Sequence, residues 1–491
     1  MRADFPELTW PTTTSFKGGC AVLELWFRGI ARSSGIRHSR PSATAPRRAS
    51  GQKTRRGTRA PDSLFGPPKQ LFFGVSGPPA PGIDCLKYKK ELVTVRNTSA
   101  SGPRRYAGPA ILERGFRPFF LAAGLWAAVA VVLWLAMIAG VFALPSALGP
   151  VDWHAHEMLF GYGAAAIAGF LLTAIPNWTG RLPVRGWRLA LLVGVWAAGR
   201  LAVAISALTG VEAMAVIDVA FLLMFWATIL REILAGRNWR NLIVAGLVGF
   251  LVVCNLLIHL EYLDVAETAA FGFRLAITDM LLLITLIGGR VVPSFTRNWL
   301  AKRGEKTLPS PFGRLDRVAL AASLAAGLLW AFLPEGIVTG VVVLFAALAN
   351  GLRLARWRGQ KTLTEPLVWV LHLGYAWIVA GFALLAVSLL TSALPQTAAI
   401  HAFTAGAVGT MTLAVMTRAT LGHTGRTLTA GPWTTAIYLL VTASGVLRVV
   451  SPIAADVETA VVALSGLSWI AAFSLFVAFY GALLAGRSAR Q

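Results

Sequence analysis

The run VDWHAHEMLFGYGAAAIAGFLLTAIPNWTGR at residues 151–181 sets Asp152, His154, His156 and Glu157 at the head of an apolar stretch. Imidazole is the commonest protein ligand for haem iron and copper, through a neutral ring nitrogen. Two histidines in front of a lipid-compatible sequence therefore suit metal ligation, a proton relay or a polar helix cap. Residues two apart on a regular helix point about 200° away from each other. His154 and His156 should then meet different neighbours, unless the first turn is irregular. Two cofactors fit that divergence, and so does one ligand beside one supporting residue. Five further histidines are present: His38, His259, His372, His401 and His423. Charged residues inside apolar runs demand partners in the same way, because an unpaired charge in hydrocarbon is costly. Arg274 and Arg448 would be paired by haem propionates or by acidic loop residues. Of the deeper pair, Asp279 either carries protons or neutralises Arg200. Thiol chemistry is thin: Cys20, Cys85 and Cys254 form no C-x-x-C or C-x-x-C-H pattern, which argues against thiolate zinc sites and covalent c-type haem.

The elements that must position these groups are membrane spans. The chain is 56% apolar and 14% charged, against about 25% charged residues in soluble proteins. A span needs about 20 mostly apolar residues. Twelve stretches qualify: 118–143, 154–176, 187–208, 212–234, 241–260, 269–289, 315–333, 337–356, 366–390, 398–418, 431–450 and 459–484. The expected fold is all-α, a polytopic membrane bundle. The loops after odd-numbered spans hold no Lys or Arg and carry acids such as Asp152, Glu212, Glu261, Glu335 and Glu458. The loops after even-numbered spans hold Arg181, Arg185 and Arg188, then Arg231, Arg237 and Arg240, a dense set from Arg290 to Arg317, Arg353 to Lys361, and Arg418 with Arg426. Positive charge stays inside, so both termini are expected in the cytoplasm.

This topology sets His154, His156, His259 and His401 at one depth near the outer face, on three helices distant in sequence. His372 lies inside span 9, nearer the cytoplasm. His423 falls just past span 10, as a loop residue in contact with solvent or lipid headgroups. Behind the outer histidines, Gly161, Gly163, Gly169, Gly406 and Gly409 leave room either for a flat group or for a neighbouring helix.

The net charge of +23 does not signal nucleic acid: about thirteen of those charges fall in residues 1–105, and nearly all the rest lie in loops on one side. Residues 1–105 are rich in Arg, Ser, Pro and Gly, without helical period or a spanning apolar run. They read as a basic disordered tail or as a gene-model extension, and lack the pattern of a secretory signal. Residues 106–491 form the membrane domain.

Span 2 ends AIPNWTGR and span 6 ends VVPSFTRN, sharing Pro, an aromatic and Thr, while span 10 ends VMTRATLG with Thr420 in the comparable place. The three run in one direction, four spans apart, which suggests three four-helix repeats. Chance is the plain alternative, since Pro and Arg are common at such helix ends. A secondary transporter of the major facilitator type would relate span 2 to span 8 instead, and LRLARWRG at the end of span 8 lacks the pattern.

GFRPFFLAAGLW at 115–126, WHAHEMLFGYGAAAIAGFLLTAIPNWTGR at 153–181 and IHAFTAGAVGTMTLAVMTRATLGHTGR at 400–426 resemble the NnrS family, from about residue 112 to the end. The resemblance implies a polytopic protein of the bacterial inner membrane that binds haem and copper and is linked to nitric oxide, nitrosative stress and denitrification. It implies His154, His156, His259 and His401 as cofactor ligands, with His372 and His423 as weaker ones. Arg274 and Arg448 then become candidate cofactor-binding residues and Glu157 a supporting contact. Nitric oxide would be a small-molecule ligand; whether the protein is an enzyme stays open. The twelve spans and the threefold pattern also resemble the catalytic subunit of haem–copper oxidases at the level of fold alone; the adjacent His-His pair of those enzymes is missing. The competing reading is the twelve-helix transporter.

Overall fold

The computed structural model describes residues 106–486; the predicted tail lies outside the described residues. Among the described residues there are no strands, and twelve helices are long and apolar enough to cross a membrane. They are α1 (Phe116–Ile138), α2 (Pro150–Thr179), α3 (Trp187–Ala204), α4 (Val211–Ala235), α5 (Trp239–Tyr262), α6 (Ala269–Ala301), α7 (Arg314–Phe332), α8 (Ile337–Ala355), α9 (Pro366–Thr391), α10 (Gln396–His423), α11 (Pro432–Ile453) and α12 (Glu458–Ala485). The chain is a multi-pass membrane protein.

Three helices form the interior. The apolar windows of α2, α6 and α10 are 72%, 78% and 67% buried, while the other nine lie between 33% and 44%. The sequence explains the division. The inner helices are built from Gly, Ala and Thr, which let backbones approach closely. An outer helix such as α8 turns Ile337, Val341, Leu344, Phe345 and Leu348 outward, where lipid takes the place of a protein neighbour. The inner helices are thus spaced four apart, and two of them carry the outer-face histidines of the longest motifs.

Both of these helices change hydrogen-bonding pattern next to their histidines. Glu157–Gly163 in α2 and Ala402–Val408 in α10 are π-helical, flanked by α-helix on either side. A π segment widens the helix and frequently marks a functional site. Helix α6 contains no such segment.

Two helix ends lie further along than the sequence pattern suggests. Pro176 and Pro293 are inside α2 and α6, which run on to Thr179 and Ala301. Membrane helices accommodate proline because neighbours re-satisfy the freed backbone groups. Arg290 and Arg297 therefore ride on a helix instead of a loop. Arg353 is a larger departure: placed by sequence in a basic loop, it is fully buried within α8. It donates to Asp316 (2.9 Å), to the Thr285 carbonyl (3.0 Å) and to the Tyr375 hydroxyl (2.9 Å), tying α6, α7, α8 and α9 together.

The GFRPFF segment has a structural use. Buried Arg117 of α1 donates to the carbonyls of Leu483 (3.1 Å), Leu484 (2.9 Å) and Gly486 at the end of α12, and pairs with Glu113 at 3.6 Å. The last carbonyls of a helix have no amide partner and carry partial negative charge, so one guanidinium closes the first helix onto the last. Arg117→Ala should cost on the order of 3 kcal/mol, since several buried acceptors lose a charged donor. A clear fall in the apparent melting temperature of the purified protein, partly restored by Arg117→Lys, is the expected reading; an unchanged melting curve would count against the latch.

Candidate metal centres

His154, His156, His259 and His401 do not form one cluster, and the separation begins between His154 and His156. His156 turns toward α4 and α5, where it meets Asp218, Asn255 and His259. The Nε2 atoms of His156 and His259 lie 3.1 Å and 3.0 Å from Asp218 Oδ2. One ligand atom from each of the three residues falls within 4.8 Å of the others, and all three are buried. The Asn255 amide donates to the same carboxyl oxygen at 2.8 Å, which leaves its Oδ1 3.1 Å from His156 Nε2.

Glu157 supports this cluster from behind. Its Oε1 faces His156 Nδ1 at 3.1 Å and accepts from Arg200 at 2.6 Å; its Oε2 accepts from Trp126 at 2.7 Å. Arg200 also pairs with Asp218. Arg200, Asp218 and Glu157 are at most 3% exposed. The two carboxylates and one guanidinium leave one negative charge uncompensated in a dry interior. Both ring nitrogens of His156 face acceptor oxygens, and a metal cation held at Nε2 would offset the second carboxylate. Two imidazoles and a carboxylate suit copper, zinc or iron. The Glu157 contact to the distal nitrogen is the supporting hydrogen bond that metal-ligating histidines usually make.

His154 and His401 stand outside this cluster. His154 stacks on Trp134 at a centroid distance of 4.2 Å and 23° between planes. The Arg448 guanidinium stands 5.8 Å from the same ring, and the start of α10, Gln396–His401, packs against α11, which carries Arg448. His401 Nδ1 donates to the Thr397 carbonyl at 2.7 Å, so its Nε2 keeps a lone pair for a ligand. His154 Nδ1 is buried without a hydrogen-bond partner. Arg448 donates to Ser451 at 2.7 Å and feels the charge of Glu458, one of the outer acids. These donors suit iron-liganding imidazoles with a cation nearby.

The glycines do not add a wall for a flat group. A Cβ on Gly161 would come 2.5 Å from the Trp126 indole nitrogen, on Gly406 2.5 Å from Trp377, and on Gly409 2.6 Å from Trp469. Neighbouring side chains fill these faces, so their smallness serves helix packing.

The remaining candidates stand apart. His372 Nε2 lies 2.8 Å from the Thr296 hydroxyl, and its Nδ1 is buried without a partner beside Gly359. His423 is the last residue of α10, not a loop residue, and its ring packs 5.3 Å from that of Phe116. Arg274 is half-buried on α6, with its Nε unpartnered. Asp279 does not neutralise Arg200, whose partners are Glu157 and Asp218. Sequence reasoning missed Asp218 and Asn255. The signal was there: Asp218 is the acid in the middle of the apolar run VEAMAVIDVAFLLMF, and an acid at such a position marks a site by default.

Fold and site define the class: a multi-pass helical membrane protein with a buried histidine–carboxylate cluster that could hold a metal ion. The family model described as NnrS protein matches residues 110–487. The chain belongs to the NnrS family. No curated protein matches it.

Proposed function

We propose that this is a haem- and copper-binding protein of the nitric oxide and nitrosative-stress response associated with denitrification, seated in the bacterial inner membrane with both termini in the cytoplasm. The observation that carries the reading is the divergence of His154 and His156. His156 meets His259 and Asp218, while His154 turns away onto the Trp134 ring that Arg448 also approaches, so one motif faces two environments.

His156, His259 and Asp218 hold copper, and His154 and His401 hold haem iron, with Arg448 and Arg274 available to its propionates. His372, with one free ring nitrogen, is the weaker metal candidate. Bound haem and copper would supply one-electron chemistry, and a metal held by only three protein ligands would have room for nitric oxide as a further one. The chain's own groups do the rest. Glu157 fixes the His156 ring, Arg200 offsets two carboxylates, and full burial keeps water from the metal and strengthens each of these contacts.

The spacing of the three buried helices supports three four-helix repeats, as in the haem–copper oxidase subunit, more than the two halves of a major facilitator transporter. Absorbance and metal analysis of the purified full chain test the reading. A Soret band with stoichiometric copper is expected. A colourless, metal-free protein would favour the transporter.

A further inference from the structure

Asp279 has no place in either centre. It lies on α6, the most buried of the twelve helices, with 0% exposure and no hydrogen-bond partner for either carboxyl oxygen. Ten residues separate it from the outer end of α6, which at 1.5 Å per residue is about 15 Å, the middle of a hydrocarbon core of about 30 Å.

The groups around it offer no counter-charge. Helices α5, α7, α9 and α10 pack against α6. Arg353 of α8 reaches α6 six residues further in, at Thr285, and is committed to Asp316. Among the described residues no hydrogen bond reaches the Asp279 carboxyl. The facing helix α5 carries Cys254, a free thiol that is 0% exposed. An ionised carboxylate here would stand unpaired in a medium that cannot solvate it, whereas the neutral acid lacks only hydrogen bonds.

We propose that Asp279 is a proton-binding site at the centre of the bundle, a carboxylic acid held in its neutral form because nothing pairs with its carboxylate there. The two inner helices α2 and α10 carry imidazoles near one end, and α6 adds a proton held at mid-depth. The site stands independently of haem and copper.

Infrared spectroscopy of the full-length protein in lipid nanodiscs tests it. The wild type should give the carbonyl stretch of a protonated carboxylic acid, persisting from acidic to mildly alkaline pH and shifting in heavy water. Asp279→Asn should remove that band, and Asp279→Glu should return it at an altered frequency. Wild-type protein without a protonated-acid band overturns the proposal, whatever the variants do. So does a band unchanged by Asp279→Asn, or one that vanishes by neutral pH as an exposed acid would. Copper and haem content measured on the same samples separates failure of this site from failure of the metal assignments.

Discussion

Asp218→Asn should empty the copper site and leave the haem spectrum intact. The substitution keeps size and one hydrogen-bonding oxygen but removes the anion at which His156 Nε2 and His259 Nε2 converge. It also takes one of two carboxylates from Arg200. Losing a contact outside the ligand set commonly costs 10–100-fold in metal affinity, so loss of the ligand itself should lower bound copper by at least about tenfold. Breaking a buried ion pair costs about 3–5 kcal/mol. Some loss of thermal stability should therefore accompany the change, at the low end because Glu157 still pairs with Arg200. His259→Ala should give the same copper loss with a smaller effect on stability. Glu157→Gln should weaken copper about 10–100-fold, through its contacts to His156 and to Arg200. Copper retained in Asp218→Asn, or haem and copper lost together in every variant, would contradict two separate centres. Elemental analysis and absorbance on monodisperse protein read both quantities.

His401→Ala should remove or spectrally alter haem while copper stays bound. Its Nδ1 is held by the Thr397 carbonyl, so the ring is oriented before any ligand arrives, and axial-ligand identity is a main control of haem spectra. Helix α10 should survive the change: the π segment that follows is packed through Phe403 against Phe382 and through Gly406 against Trp377. His423→Ala, at the other end of the same helix, should alter neither cofactor, because its ring packs on Phe116. An unaltered haem spectrum in His401→Ala with bleaching in His423→Ala would move the haem toward the His423 end of α10 and the start of α9.

Much of this arrangement was legible in residue order. Span number follows from apolar length. The parting of His154 from His156 follows from helical geometry alone. Which histidine each one meets was not legible, because that depends on how helices pack side by side. Asp218 escaped notice among its apolar neighbours although its cost in lipid should have drawn the eye. Arg353 was misplaced for a related reason. An arginine at a helix end reads as a topology marker, and only the approach of Asp316 and Tyr375 turns it into a buried anchor. The prolines misled about helix ends because the rule that proline stops a helix weakens where neighbouring helices satisfy the backbone. The π segments have no sequence signal beyond nearby glycines, which also serve ordinary packing.

X-ray absorption at the copper edge of the purified wild type bears most directly on the metal assignment. His156, His259 and Asp218 as ligands require a shell of nitrogen and oxygen only, with the outer-ring scattering of two imidazoles, and the loss of one imidazole in His259→Ala. Sulfur in the first shell, which Cys254 would have to supply, or a shell unchanged by His259→Ala, would place the copper somewhere else in the bundle.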